Sequence, residues 1–155
     1  MASWVRRRDG NAADVHYLEE ARAALGPIMA ASRDIAASGR SHHVRALGRL
    51  ALAEQADQLA AIAAALSAWG QLDARSASSS TPFPDAIPER HSTDQDRNFA
   101  DHLAAHAHAS LASARAEMIT GASPTARSIA EQAIHVHDRR LAAIILLFPP
   151  TTPRP

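Results

Sequence analysis

Apolar residues return every three or four positions along four stretches of the chain, the spacing that gathers them on one face of an α-helix. In the first stretch, from about Ala12 to Ala37, the stripe is Leu18, Ala21, Leu25, Ile28, Ser32 and Ile35, with Asn11 as a candidate cap. Gly26-Pro27 interrupts this stripe and predicts a kink or a split, because proline removes a donor and clashes one turn back. Gly39 is placed just past the helix end, where a left-handed turn favours glycine. The second stretch, His42 to Trp69, is opened by Ser41 and stopped by Gly70, with Val44, Leu47, Ala51, Leu59, Ile62, Leu66 and Trp69 along its stripe. The third opens on Ser92-Thr93-Asp94-Gln95, a capping-box pattern, and runs to about Thr120 before Gly121. Ser123-Pro124 then pairs a cap with proline at the first helical position, and the fourth stretch ends near Phe148, before Pro149-Pro150. No strand alternation occurs.

Punctuation between the stretches sets the layout. Residues 71–91 hold three prolines and a serine run, which predicts a linker or crossover with little helix. The expected organisation is a flexible N-terminus at 1–11, a helical hairpin at 12–70, the linker, a second hairpin at 92–148 and a tail at 149–155, in one domain overall.

The two hairpins repeat each other. A shift of 82 residues places Asp14 on Asp96, Tyr17 on Phe99, Arg33 on Arg115, Gly39 on Gly121, Ser41 on Ser123 and Arg45 on Arg127. The run from Leu59 to Ile62 falls on the run from Leu141 to Ile144, and 12 of 53 gap-free positions are identical. Alanine richness accounts for some of these, but the other matches fall at caps, turns and stripe positions. The fold class that follows is all-α: a four-helix bundle built from two repeated hairpins. Leu59, Ile62, Leu141 and Ile144 are expected to line one core layer.

Composition narrows the chemistry. Alanine supplies 37 of 155 residues and aromatics only 4%, which suits helix and leaves little strand-forming material. The skew toward Ala and Arg is typical of a GC-rich genome. The absence of cysteine excludes disulfides, thiolate metal sites and thiol nucleophiles. Every basic side chain is Arg, so a Schiff-base lysine and a phosphate-loop lysine are excluded too. Sixteen basic residues balance sixteen acidic ones, which gives no net pull toward nucleic acid or an anionic membrane. Arg6-Arg7-Arg8 behind Trp4 is read as a solvated tail. The most apolar run, Leu141 to Phe148, has eight residues, too few to span a bilayer, and no secretory core follows Met1. As written, the sequence reads as cytoplasmic; a mature exported form or a misplaced start would read the same way.

The repeat carries a pattern that resembles the domain of unknown function 305 family. In that family a hairpin reads Asp-x-x-Phe-x-x-x-Met-x-x-His-His on its first helix and carries an Ala-rich run with Gln-x-x-Glu-Ile on its second. Here the second half gives Asp96, Phe99, Leu103, His106 and Ala107, then Ala130, Ile134, His137 and Arg140-Leu141. The first half gives Asp14, Tyr17, Ala21 and Ala24-Leu25, then Gln55 and Gln58-Leu59. The resemblance covers about residues 12 to 148 and implies a ferritin-like four-helix bundle. Some members are similar to exported copper-binding proteins rich in Met and His. The family's paired histidine is His106 alone here, and its Met positions are occupied by Leu, Ala or Ser.

Nine histidines are the remaining outlier. In a hairpin turning at Gly121, His106 lies 15 residues before the turn and His137 lies 16 after it. Both therefore sit roughly 22–24 Å from the turn. His102 precedes His106 by one helical turn on the same face. His102, His106 and His137 are the candidate metal ligands, for copper or another divalent transition metal, since imidazole suits such ions. The competing reading makes them core polar residues bonded to a Ser, a Gln or a backbone carbonyl. His108, His135, His42 and His43 are read as surface residues, and His16 and His91 carry no pattern. Gln55 and Gln58 are expected near the inner face of the second helix, bonded within the bundle. Without a Glu-x-x-His motif, a carboxylate di-iron site is not expected. Nor does a nucleophile–base pair or a phosphate loop appear, so no catalytic residues are assigned. The shared level of His106 and His137 favours a non-enzymatic bundle that binds a transition metal such as copper through these histidines; the alternative is a ligand-free structural or interaction bundle, with a homodimer admissible in either.

Overall fold

The computed structural model of the protein describes residues 10–70 and 93–150. These form α1 (Ala12–Ser38), α2 (His42–Ala68), α3 (Thr93–Thr120) and α4 (Pro124–Leu147), with no strand among the described residues. The linker at 71–91, the N-terminal arginines, Ser92 and most of the 149–155 tail lie outside them.

Local chemistry explains the boundaries. Asn11 caps α1, its side chain accepting from the backbone N–H of Ala13 and Asp14, while Asp14 bonds back to the Asn11 N–H. Ser123 Oγ accepts from Ala126 N at 3.2 Å, and Pro124 follows at the first position of α4. Gly70 takes a φ of 70°, the left-handed turn that stops α2. Two expectations change. Gly39 has a negative φ (−56°) and is not a left-handed stop, and Ser41 makes no side-chain cap. Nor does Gly26-Pro27 split the first stretch, since α1 is continuous through Pro27. Ala23, Gly26 and Pro27 are exposed, so the Ala23 carbonyl that Pro27 cannot pair faces water, while Leu25 and Ile28 anchor the opposite side.

The helices pack as α1 on α2, α3 on α4, α1 on α3 and α2 on α4, so the order around the bundle is α1, α2, α4, α3. A buried core built from Leu18, Leu25, Ile28, Ile35, Ile62, Leu66, Leu103 and many alanines fills the centre. Small side chains let the backbones approach closely, and Gly48 is the extreme case. A Cβ there would lie 2.4 Å from Ile35 Cγ2 and 3.0 Å from backbone atoms of Ser32 and Ala36. Gly48→Ala is therefore expected to destabilise the fold by about 1–3 kcal/mol in thermal or urea unfolding, despite alanine's better helix propensity.

Reciprocal carboxylates hold the hairpins together. Asp14, fully buried at the start of α1, accepts from the backbone N–H of Ala122 and Ser123, each at 3.0 Å, in the turn of the other hairpin. Asp96, at the start of α3, accepts from the backbone N–H of Arg40 (2.9 Å) and Ser41 (2.7 Å) in the turn of the first. The 82-residue repeat is thus a two-fold arrangement in space. It also corrects the expected core layer. Ile62 and Ile144 are buried, whereas Leu59 and Leu141 are only half-buried. Glu54 pairs with Arg140 across α2 and α4, which run in opposite directions. Ile62 and Ile144 therefore sit about 18 Å apart along the bundle, in equivalent layers near opposite ends.

Candidate functional site

One cluster of interior polar groups lies between α2, α3 and α4. His137 is fully buried on α4 and faces His106 on α3, the ring centroids 5.4 Å apart in an edge-to-face arrangement at 69°. Their positions relative to Gly121 bring them to this common level. Arg140, one turn along α4 and 4% exposed, places Nη1 3.4 Å from His137 Nδ1, and its Nη2 donates to Glu54 on α2. Arginine only donates, so Nδ1 of His137 must accept and the ring proton belongs on Nε2. That Nε2 is buried with no hydrogen-bond partner among the described residues, as are both polar side-chain atoms of Gln55. Gln55 and His137 are equivalent positions of the repeat.

Charge follows burial. The pKa of His137 is pushed down to about 3 and that of His106 to about 4, first by burial, then by the Arg140 guanidinium. Both rings are neutral at physiological pH. Their neutrality contributes stability present above about pH 6.5 and lost as pH falls toward these lowered values. Arg140 is held below its usual range by burial, against which Glu54 works to keep the cation.

His106 also opens to solvent. It lines a cleft of about 370 Å³ between α1 and α3, walled by Ala21, Ala24, Leu25 and Ala109, with Tyr17 and Gln58 at its polar edge. Ser110 Oγ lies 3.4 Å from His106 Nε2.

No family model matches this chain, and no curated protein matches it in sequence. Among solved structures, the crystal structure of a DUF305 fragment from Deinococcus radiodurans superposes with a TM-score of 0.71, covering 89% of this chain and 96% of that one. The fold is that of the DUF305 fragment. Sequence identity to the fragment is 13%, so the likeness is one of fold.

On this DUF305 fold the other candidate residues separate. His102 is exposed and stays outside the His106–His137 contact, although its charge still acts on His106. Among the described residues no group of three or more His, Cys, Asp or Glu is placed to hold a metal ion. The three-imidazole convergence is therefore not formed: the buried face of α3 runs through Phe99, Leu103, Ala107 and Leu111, leaving His102 beyond its edge. His42, His43, His108 and His135 are exposed as expected, and His16 pairs with Glu20 at 3.4 Å on the surface. His91 lies outside the described residues. Gln55 is buried but lacks the expected bonds, and Gln58 is half-buried.

Four residues of consequence have partners that no sequence signal gives. Glu54 and Arg140 meet across 86 residues, and Asp14 and Glu117 belong to the turn region of the second hairpin. The repeat and the family pattern both mark Asp14, through its match to Asp96 beside the matching glycines and serines of the two turns, but neither gives it a partner.

Proposed function

We propose that this chain is a non-enzymatic helical domain that acts through its surface or its assembly, as a structural or interaction module, and not through a bound metal. What carries this reading is the Arg140 guanidinium beside His137. It occupies the Nδ1 lone pair with a donor and sets a permanent cation next to the two imidazoles that a metal ion would need. Glu54, half-buried, neutralises that cation, which completes the ion pair without any further ion. The polar centre then serves to fix how the two hairpins register, a use for which buried polar groups are suited.

One observation favours a second reading, in which a transition metal such as copper binds through His106 and His137, with His102 at the rim. Their rings face each other at 5.4 Å, and both are neutral, the state that can donate a lone pair. For a metal to bind there, Arg140 must first release His137 Nδ1, or the proton must leave His137 Nε2.

Titration of untagged protein with Cu(II) and Zn(II), followed by melting temperature, separates the two. A ligand that binds only the folded state raises the melting point with concentration. The structural reading expects no rise, and expects His106→Ala to destabilise the metal-free protein. The metal reading expects a rise that His106→Ala or His137→Ala abolishes and His43→Ala leaves intact.

A further inference from the structure

Glu117 stands where the first hairpin has Ile35, one turn before the glycine that closes each hairpin. Both residues are buried, at 2% exposure each, and each accepts from that glycine through its backbone carbonyl: Gly121 to Glu117 at 2.7 Å, Gly39 to Ile35 at 2.8 Å. The turn lies directly on the Glu117 carboxyl. A Cβ added at Gly121 would fall 2.1 Å from Glu117 Oε1, an atom that has no hydrogen-bond partner among the described residues.

The same turn brings the Glu117 carboxyl into hydrogen-bonding contact with a partner of unusual kind, the Asp14 carboxylate, which accepts from Ala122 and Ser123 just past Gly121. Asp14 is already saturated with donors: the backbone N–H of Asn11, Ala122 and Ser123 all point at it. These donors favour its ionised form. Burial works to raise its pKa but is outweighed by the Glu117 hydrogen bond and the three backbone bonds, and the pKa is lowered. Two carboxyl groups can share a hydrogen bond only if one holds a proton, and that one is Glu117. The charged or titratable groups acting on Glu117 are Asp14 and Tyr17 from α1 and Arg127 from α4. Only Arg127 favours its ionised form.

We propose that the Asp14–Glu117 pair is a proton-operated latch: with its proton, Glu117 holds α1 onto the turn of the second hairpin, and on losing it repels Asp14 and loosens that end of the bundle. The equivalent Asp96 junction, with Ile35 in place of Glu117, has no such proton and stays closed. The change falls in a physiological range. Burial, followed by the hydrogen bond and charge of Asp14, pushes the pKa of Glu117 up to about 7. In the opened end the group returns to an ordinary carboxyl pKa near 4.5. Between those values the closed form binds more protons than the open one, so rising pH favours opening. Above about 7 both forms are ionised and the dependence ends.

Amide hydrogen exchange by NMR, read as protection factors from pH 5 to 8, tests this within one molecule. The Ala122 and Ser123 amides, which bond to Asp14, are expected to lose protection by about tenfold per pH unit up to about pH 7 and then level off. The Arg40 and Ser41 amides, which bond to Asp96, are expected to hold constant protection. In Glu117→Gln the side-chain amide donates to Asp14 at every pH, so the Ala122 and Ser123 protection should become flat. If that variant does not fold, Glu117→Ile, which copies the first hairpin, takes its place. Flat protection at Ala122 and Ser123 in the wild type overturns the proposal, as does an equal fall at Arg40 and Ser41. A fall that survives the removal of the carboxyl does so too.

Discussion

Asp14→Ala is expected to destabilise the bundle by about 3–5 kcal/mol, because one side chain serves two separated pieces of backbone and a buried carboxyl at zero exposure. It closes the capping box on α1, accepts from Ala122 and Ser123 in the turn between α3 and α4, and receives the Glu117 hydrogen bond. Alanine leaves all of these donors facing a methyl group in a site that water does not reach. The equivalent Asp96→Ala removes the acceptor of two backbone N–H groups and should cost less, about 1–3 kcal/mol. Urea unfolding of the two variants side by side measures the difference. Equal losses would mean that the two junctions carry the same energy and that Glu117 adds nothing to the second. Since the Asp14 pKa is lowered by folding, its contribution is present above the ordinary carboxylate range and is lost as pH falls below it.

Glu54→Ala should be nearly as damaging, at about 3–5 kcal/mol, through the partner it leaves behind. Arg140 is 4% exposed and its side chain cannot reach water or discard its proton, so removal of Glu54 strands a cation beside two neutral imidazoles. Arg139 offers no relief, since it shares Glu54 from an exposed position and is itself cationic. The double variant Glu54→Ala with Arg140→Leu should recover most of the loss, because an ion pair replaced as a unit leaves no unpaired charge. A double-mutant cycle in chemical denaturation reads this coupling directly. Additive losses would show that Arg140 draws its stability from elsewhere.

Much of the fold was legible because it rests on local chemistry. Asn11 and Ser123-Pro124 act where their side chains and φ angles dictate, and the apolar stripes of α1 and α2 are the buried faces apart from Ala21, Leu59 and Trp69, which are half-buried. The facing of His106 and His137 was legible too, since two antiparallel helices sharing one turn fix residue levels by counting. What could not be read depends on how one hairpin docks on the other. The Asp14 and Asp96 bonds span 109 and 55 residues, and nothing in either helix announces its partner. Glu117 was hidden for a different reason. It occupies a stripe position where periodicity calls for an apolar residue, and only its contact with Asp14 gives a carboxyl group a place there. His102 shows the converse limit: i and i+4 share a face, but the edge of the buried surface passes between them.

Because each hairpin finishes the turn of the other with the same aspartate, one hairpin sequence used twice would build this bundle as a symmetric dimer, each junction the mirror of its twin in role. Fusion into a single polypeptide removes the obligation for both halves to change together. The unusual interior groups stand at positions where the halves have diverged: His137 opposite Gln55, His106 opposite Ala24, Arg140 opposite Gln58, Glu54 opposite Val136 and Glu117 opposite Ile35. In a symmetric dimer of one hairpin each of these would come in pairs, with two buried arginines or two buried glutamates facing one small core. Two unequal hairpins in one chain allow a single ion pair and a single proton site to sit off the axis, and so let the two ends of one bundle respond differently to the same surroundings.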